Sequence, residues 1–207
     1  MKTDTISSET FDKEQVLKTL KTSIATSRKT LMDDGILLLS WGLVMSLGFF
    51  WKYYNSIVLI PSRIRDVMSI INIIAAVGII AFTIYFIFFR NKRVKTYIAI
   101  STRFVWLGVI LAHNLNVIVT KSSMNEINFE ILHPLQMVLI GFALFVTGGI
   151  YRYYLLVASG VIMWIGAAVS ANYDLNTQFL VRAIADFVCF VIPGVLMYSE
   201  IKKKRNV

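Results

Sequence analysis

Arg182 and Asp186 stand four residues apart inside a long apolar run, so on a helix they share one face and can pair there. Ionisable and amide side chains at membrane depth are costly unless they are paired or line an aqueous cavity, which makes each of them informative. By that rule Asn72, His113, Asn114 and Gln136, each set within an apolar run, join Arg182 and Asp186 as candidate ligand-binding residues. Asn172, Tyr173 and Asp174 fall near the same surface. Together they can line a polar pocket, or they can satisfy one another between helices. Asp186 is the first choice among them, because a carboxylate is expensive at that depth without a partner. Arg103 lies close to one end of its run, and its long stem is expected to carry the charge back to the interface.

No catalytic pattern accompanies this cluster. The chain holds no His-Glu-x-x-His, no Gly-x-Ser-x-Gly, no P-loop and no dinucleotide fingerprint. His113 and His133 are the only histidines, and two histidines without an ordered pattern of carboxylates nearby are a weak basis for a metal site, so neither a metal nor a cofactor is expected. Cys189 is the single cysteine, which excludes a disulfide framework. The expectation is a protein that is not an enzyme.

The elements that must position these residues follow from hydropathy. Of the 207 residues 57% are hydrophobic, above the roughly 45–50% of a soluble domain, and the mean hydropathy is +0.67. The excess is gathered into runs long enough to cross a hydrocarbon core of about 30 Å as helices. Six spans are expected, at about 36–54, 66–89, 97–119, 133–150, 153–171 and 180–199, forming one transmembrane domain. His133-Pro134 opens the fourth, with the proline placed for a first helical turn. Trp51, Tyr53 and Tyr54, and Tyr151, Tyr153 and Tyr154, suit aromatic belts at span ends. Pro193-Gly194 predicts a kink in the last span, its freed carbonyls satisfied by neighbours. Gly42-x-x-x-Ser46 offers a small-residue face for close helix packing. Trp106-x-Gly108 with Asn114, and Trp164-x-Gly166 with Asn172, repeat at a spacing of 58 residues, either by coincidence or because the chain is built from helical hairpins.

Charge sets the direction of the spans. The net charge is +9, but the basic residues gather at the ends of apolar runs, which points to membrane topology and away from nucleic acid. The N-terminal stretch, the 90–96 loop, the 151–152 turn and the C-terminus share one side and hold 15 of the 21 Lys and Arg residues. Both termini are therefore expected to face the cytoplasm. The first thirty-five residues carry charge throughout, so a cleaved leader is not expected.

Ahead of the first span, residues 1–11 read as a disordered tail and residues 12–34 as a cytoplasmic amphipathic helix. Asp12 can cap it with Gln15 at the third helical position, and Phe11 can staple onto Val16. Leu17, Leu20, Ile24 and Leu31 recur at helical steps and form one apolar stripe, the candidate partner-binding face. That stripe either lies on the lipid headgroups, with the neighbouring lysines near anionic lipid, or docks a partner. Residues 200–207 form a basic tail.

The run Glu14-Gln-Val-Leu17-Lys-Thr-Leu20-Lys-Thr-Ser-Ile24-Ala-Thr-Ser-Arg28-Lys29, followed by Leu37-Leu-Leu-Ser-Trp41-Gly42, resembles a group of uncharacterised small bacterial multi-pass membrane proteins. In that group an amphipathic helix leads into a first span carrying Leu-Leu-Trp-Gly; here Ser40 stands before the tryptophan. The likeness covers about residues 14–54. It implies topology and a bacterial cytoplasmic membrane, and it brings no activity and no catalytic residue.

The sequence thus predicts an all-α integral membrane protein with six transmembrane helices and an N-terminal cytoplasmic amphipathic helix. Two functional classes follow. One is a membrane interaction or regulatory protein acting through the amphipathic helix, with a second copy or another membrane or cytoplasmic protein as partner. The other is a small transporter or substrate-binding membrane subunit that uses an outward-facing polar cluster.

Overall fold

Lipid offers the backbone no hydrogen-bond partners, so a chain this apolar has to satisfy its peptide groups within helices. In a computed structural model of the chain, residues 15, 16, 18, 19, 22, 35–58, 61–85 and 97–205 are described, and no strand occurs among them. The main elements are α1 (Gly35–Ile57), α2 (Ser62–Tyr85), α3 (Tyr97–Met124), α4 (Phe129–Tyr151), α5 (Tyr154–Ser170), α6 (Leu175–Asp186) and α7 (Ile192–Arg205). A π-helical turn, Phe187–Val191, joins α6 to α7, so that Leu175–Ser199 runs as one span. Five helices are long and apolar enough to cross a membrane. The sixth, α5, has 17 residues and rises roughly 25 Å, a little less than the hydrocarbon core.

The helices mostly outrun the stretches expected from hydropathy. The third extends to Met124 and the last begins at Leu175. The fourth begins at Phe129 because Asn128 caps it: its side chain accepts the amides of Glu130 and Ile131 at 3.0 and 3.3 Å. Pro134 therefore sits in the second turn and not the first. The predicted 12–34 helix is represented only by Gln15, Val16, Lys18, Thr19 and Thr22, all helical. Leu17, Leu20, Ile24 and Leu31 lie outside the described residues, as do the 1–11 tail and the 86–96 connection.

Packing divides the helices into a core and a periphery. α1 lies along α6, the π turn and α7, while α4 pairs with α5. Met137, Leu144, Leu156, Met163, Cys189 and Met197 are buried between them. α2 rests mainly on α1, and α3 mainly on α4. Both turn rows of Ile, Val and Leu outward, as lipid-facing helices do. Trp41 ties α2 to α1 by donating to Thr83 Oγ1 at 2.8 Å. Tyr151 and Tyr153 are buried in the core instead of joining an aromatic belt; of that trio only Tyr154 is exposed. The tight α4–α5 turn places Arg152 at φ 53°, and its amide closes on the carbonyls of Gly148 and Gly149.

Small residues set how closely the core helices approach. Gly42 meets the Val191 backbone and Ser46 donates to the Ala183 carbonyl at 2.9 Å, so the predicted Gly42-x-x-x-Ser46 face packs against the last span. Gly160 of α5 lies against the backbone of Gly141 and Phe145, where an added Cβ would stand 2.7 Å from the Gly141 oxygen. Gly108 has open space around it, whereas Gly166 faces Met137. The two Trp-x-Gly segments therefore pack differently.

These environments predict opposite signs for one substitution. Gly160→Ala forces two backbones apart and should lower stability by about 1–3 kcal/mol. Gly108→Ala meets nothing within 4 Å and should raise stability slightly through helix propensity, by up to about 1 kcal/mol. Thermal unfolding of the two variants in detergent checks both; a Gly160→Ala protein as stable as the parent would contradict the α4–α5 packing.

Candidate functional site

The polar end of the core is built around two features of α6 and α4. Asp174 caps α6, accepting the Asn176 amide at 3.2 Å and the Thr177 hydroxyl at 2.7 Å. The Thr177 bond above all holds its carboxyl below the usual carboxylate range. The cap is therefore complete above that range and is lost as pH falls through the lowered value. From this start, α6 buries Gln178, Arg182 and Asp186 on successive turns of one face. Pro134 has no amide hydrogen, so the Glu130 carbonyl four residues earlier has no helical donor. Gln178 Nε2 fills that place at 3.0 Å and also donates to the Tyr173 carbonyl at 3.0 Å. A proline on one helix is thus matched by an amide on another.

Deeper in, Arg182 and Asp186 form the predicted pair. Arg182 Nε donates to Asp186 Oδ2 at 2.9 Å, and both side chains are 1% exposed. The contact uses one edge of the guanidinium. Its Nη1 is buried and has no hydrogen-bond partner among the described residues. The guanidinium carbon also lies 5.1 Å from the centroid of Phe49 on α1, a cation–π distance.

Next to this pair is a cavity of about 640 Å³, within the usual span of small-molecule sites. It is bounded by the C-terminal end of α1, the second half of α3 and the first turns of α4 and α6. Phe49, Phe129, Phe179, Val117 and Leu132 supply its apolar wall; Lys52, Asn55, Ser56, His113, His133 and Gln136 supply its polar groups. The rings interlock: His133 meets Phe179 edge-on at 5.2 Å and Phe49 edge-on at 5.6 Å, with Phe49 stacked on Phe179 at 6.3 Å. Lys52 stands at the rim with its ammonium 5.2 Å from the Phe49 centroid and 5.5 Å from that of Phe179.

The six candidates from the sequence thus divide three ways. His113 and Gln136 line the cavity. Arg182 and Asp186 lie buried behind Phe49, off the cavity wall. Asn72 and Asn114 stand apart from it, each donating to a carbonyl one turn back on its own helix, Met68 at 3.1 Å and Ile110 at 2.7 Å. Lys52, His133 and the three phenylalanines were not among the candidates. Lys52 and His133 both fall at span ends, where charge and ring polarity read as interfacial, and phenylalanines are too common in spans to single out. Among the described residues no group of His, Cys, Asp and Glu is placed to hold a metal. Cys189 is buried, its thiol donating to the Ser159 carbonyl at 3.1 Å.

The buried pair carries a double-mutant prediction. Arg182→Met or Asp186→Leu alone strands a buried charge and should cost about 3–5 kcal/mol, whereas the two together remove both charges and should recover most or all of that loss. Unfolding of the two single variants and the double variant measures the coupling; additive losses would show that the pair does not act as a unit.

Comparison of the chain with known protein families, with curated proteins and with solved structures finds no match.

Proposed function

We propose that this is a non-enzymatic membrane protein that binds a small molecule from the outer side, as a small transporter or the substrate-binding subunit of a larger assembly. In this reading α1 to α5 and the Leu175–Ser199 unit are six spans of a cytoplasmic membrane, with both termini inside. The distribution of Lys and Arg supports that direction. It turns the C-terminal end of α1 and the N-terminal ends of α4 and α6 outward, and the cavity with them.

The observation that carries the proposal is the cavity itself: it is concave, largely apolar and furnished with a few convergent polar side chains, the usual make-up of a ligand site. A wall assembled from four helices also suits a ligand that must be released by helix movement. The Phe187–Val191 π turn and Pro193 lie further along the helix that contributes Phe179 to the wall, where a departure from regular helix makes bending easier. The alternative, regulation through the N-terminal stripe, rests on sequence periodicity alone.

Screening purified protein against a library of small metabolites by thermal unfolding tests this reading. A ligand present at a hundred times its dissociation constant should stabilise the fold by about 2.7 kcal/mol. Gln136→Trp, which fills the cavity, should abolish that shift while leaving the unliganded protein folded. A shift unchanged in Gln136→Trp, or no shift with any compound, would overturn the assignment.

A further inference from the structure

Resting on that cavity reading, we propose that the ligand is an organic anion, its carboxylate or phosphate held by Lys52 and its apolar body laid among Phe49, Phe129 and Phe179.

The argument is a census of charge at the site. Among the described residues no Asp or Glu lines the cavity. Lys52 makes no ion pair among the described residues, and Asp186 is already engaged by Arg182. Lys52, Arg182 and Asp186 together leave one positive charge without an ionic partner, and of the three only Lys52 lines the cavity. Asn55 and Gln136 bring further amide donors to the wall, whereas the Ser56 hydroxyl already donates to the Tyr53 carbonyl at 2.7 Å. A ring of aromatic residues would by itself equally suit a cation. Here that use is taken: Phe49 has both Lys52 and Arg182 against it, and Phe179 has Lys52. A cationic ligand would enter against the Lys52 ammonium and find no carboxylate on the wall among the described residues. An anion with an apolar body meets an ammonium at the rim and apolar rings beneath it. Such an anion is either a soluble aryl or alkyl acid or the headgroup of an anionic lipid from the surrounding leaflet, and the two share the same chemistry at Lys52.

The experiment uses the full chain in phosphatidylcholine nanodiscs. Binding of 3-phenylpropionate and phenyl phosphate is compared with that of neutral 3-phenylpropanamide and cationic 3-phenylpropylamine. In parallel, native mass spectrometry of protein purified from phosphatidylglycerol-containing membranes reads retained lipid. The anions are expected to bind at least tenfold more tightly than the amide. Lys52→Gln should erase that preference and Lys52→Arg should keep most of it. Asn55→Asp, which brings a carboxylate to the wall one helical turn from Lys52, should erase it without touching the lysine. Anion preference among the soluble probes identifies a soluble acid; retained phosphatidylglycerol lost in Lys52→Gln, with the soluble probes silent, identifies the lipid headgroup. Binding of the amide or the amine as tight as that of the anions, or unaltered in Lys52→Gln, overturns the anion while leaving the cavity as a site. Silence of every probe, of the lipid and of the metabolite library overturns both.

Discussion

A guanidinium and a carboxylate held out of water on one helix, in a chain otherwise made of apolar spans, can persist only if each satisfies the other. Arg182 and Asp186 meet that condition through a single hydrogen bond, and the rest of the polar end is arranged around it. Ser46 anchors α1 to α6 through the Ala183 carbonyl, one residue beyond Arg182. That contact brings Phe49, one turn further along α1, over the guanidinium, and Lys52 follows one turn after Phe49. Gln178, one turn before Arg182, reaches across to α4 at the carbonyl that Pro134 leaves free. The cavity is therefore what remains between α1, α4 and α6 once their polar contacts are made, with α3 closing the side.

The opposite half of the molecule solves a different problem. Lipid is as apolar as leucine, so helices there gain little from hiding aliphatic surface and must associate by close van der Waals approach. Gly42 and Gly194 let α1 and the last span meet backbone to backbone, and Gly141, Gly148 and Gly160 do the same for α4 and α5. Trp164 adds a hydrogen bond to the Val138 carbonyl at 3.0 Å. A tightly packed half joined to a half with a cavity is a division of labour suited to binding: one part holds position while the other accommodates a ligand.

How far the sequence foretold this arrangement depended on whether a residue's partner was local. Span positions were legible because length and hydropathy are properties of one segment. The Arg182–Asp186 pair was legible for the same reason, since both residues lie on one helix at a fixed spacing. Gly42-x-x-x-Ser46 announced a packing face without naming what it packs on. Asn72 and Asn114 stand apart from the cavity, since an amide within a helix can bond its own preceding turn and need no pocket. Lys52, Phe49, Phe179 and His133 went unmarked because their meaning comes from meeting one another across α1, α4 and α6. The match of Gln178 to Pro134 is of the same kind: neither residue signals it alone.

The central claim is the proposal that the cavity opens to the outer side of the membrane, and cysteine accessibility tests it most directly. Cys189 is the sole cysteine, so Cys189→Ala gives a background on which one thiol at a time can be placed. With Ser56→Cys or Gln136→Cys, a membrane-impermeant maleimide added to intact cells should label the protein. Ile74→Cys, at a lipid-facing position of α2, should stay unlabelled. Labelling of the two cavity positions only after the membrane is opened, or reactivity no greater than that of Ile74→Cys, would contradict the account.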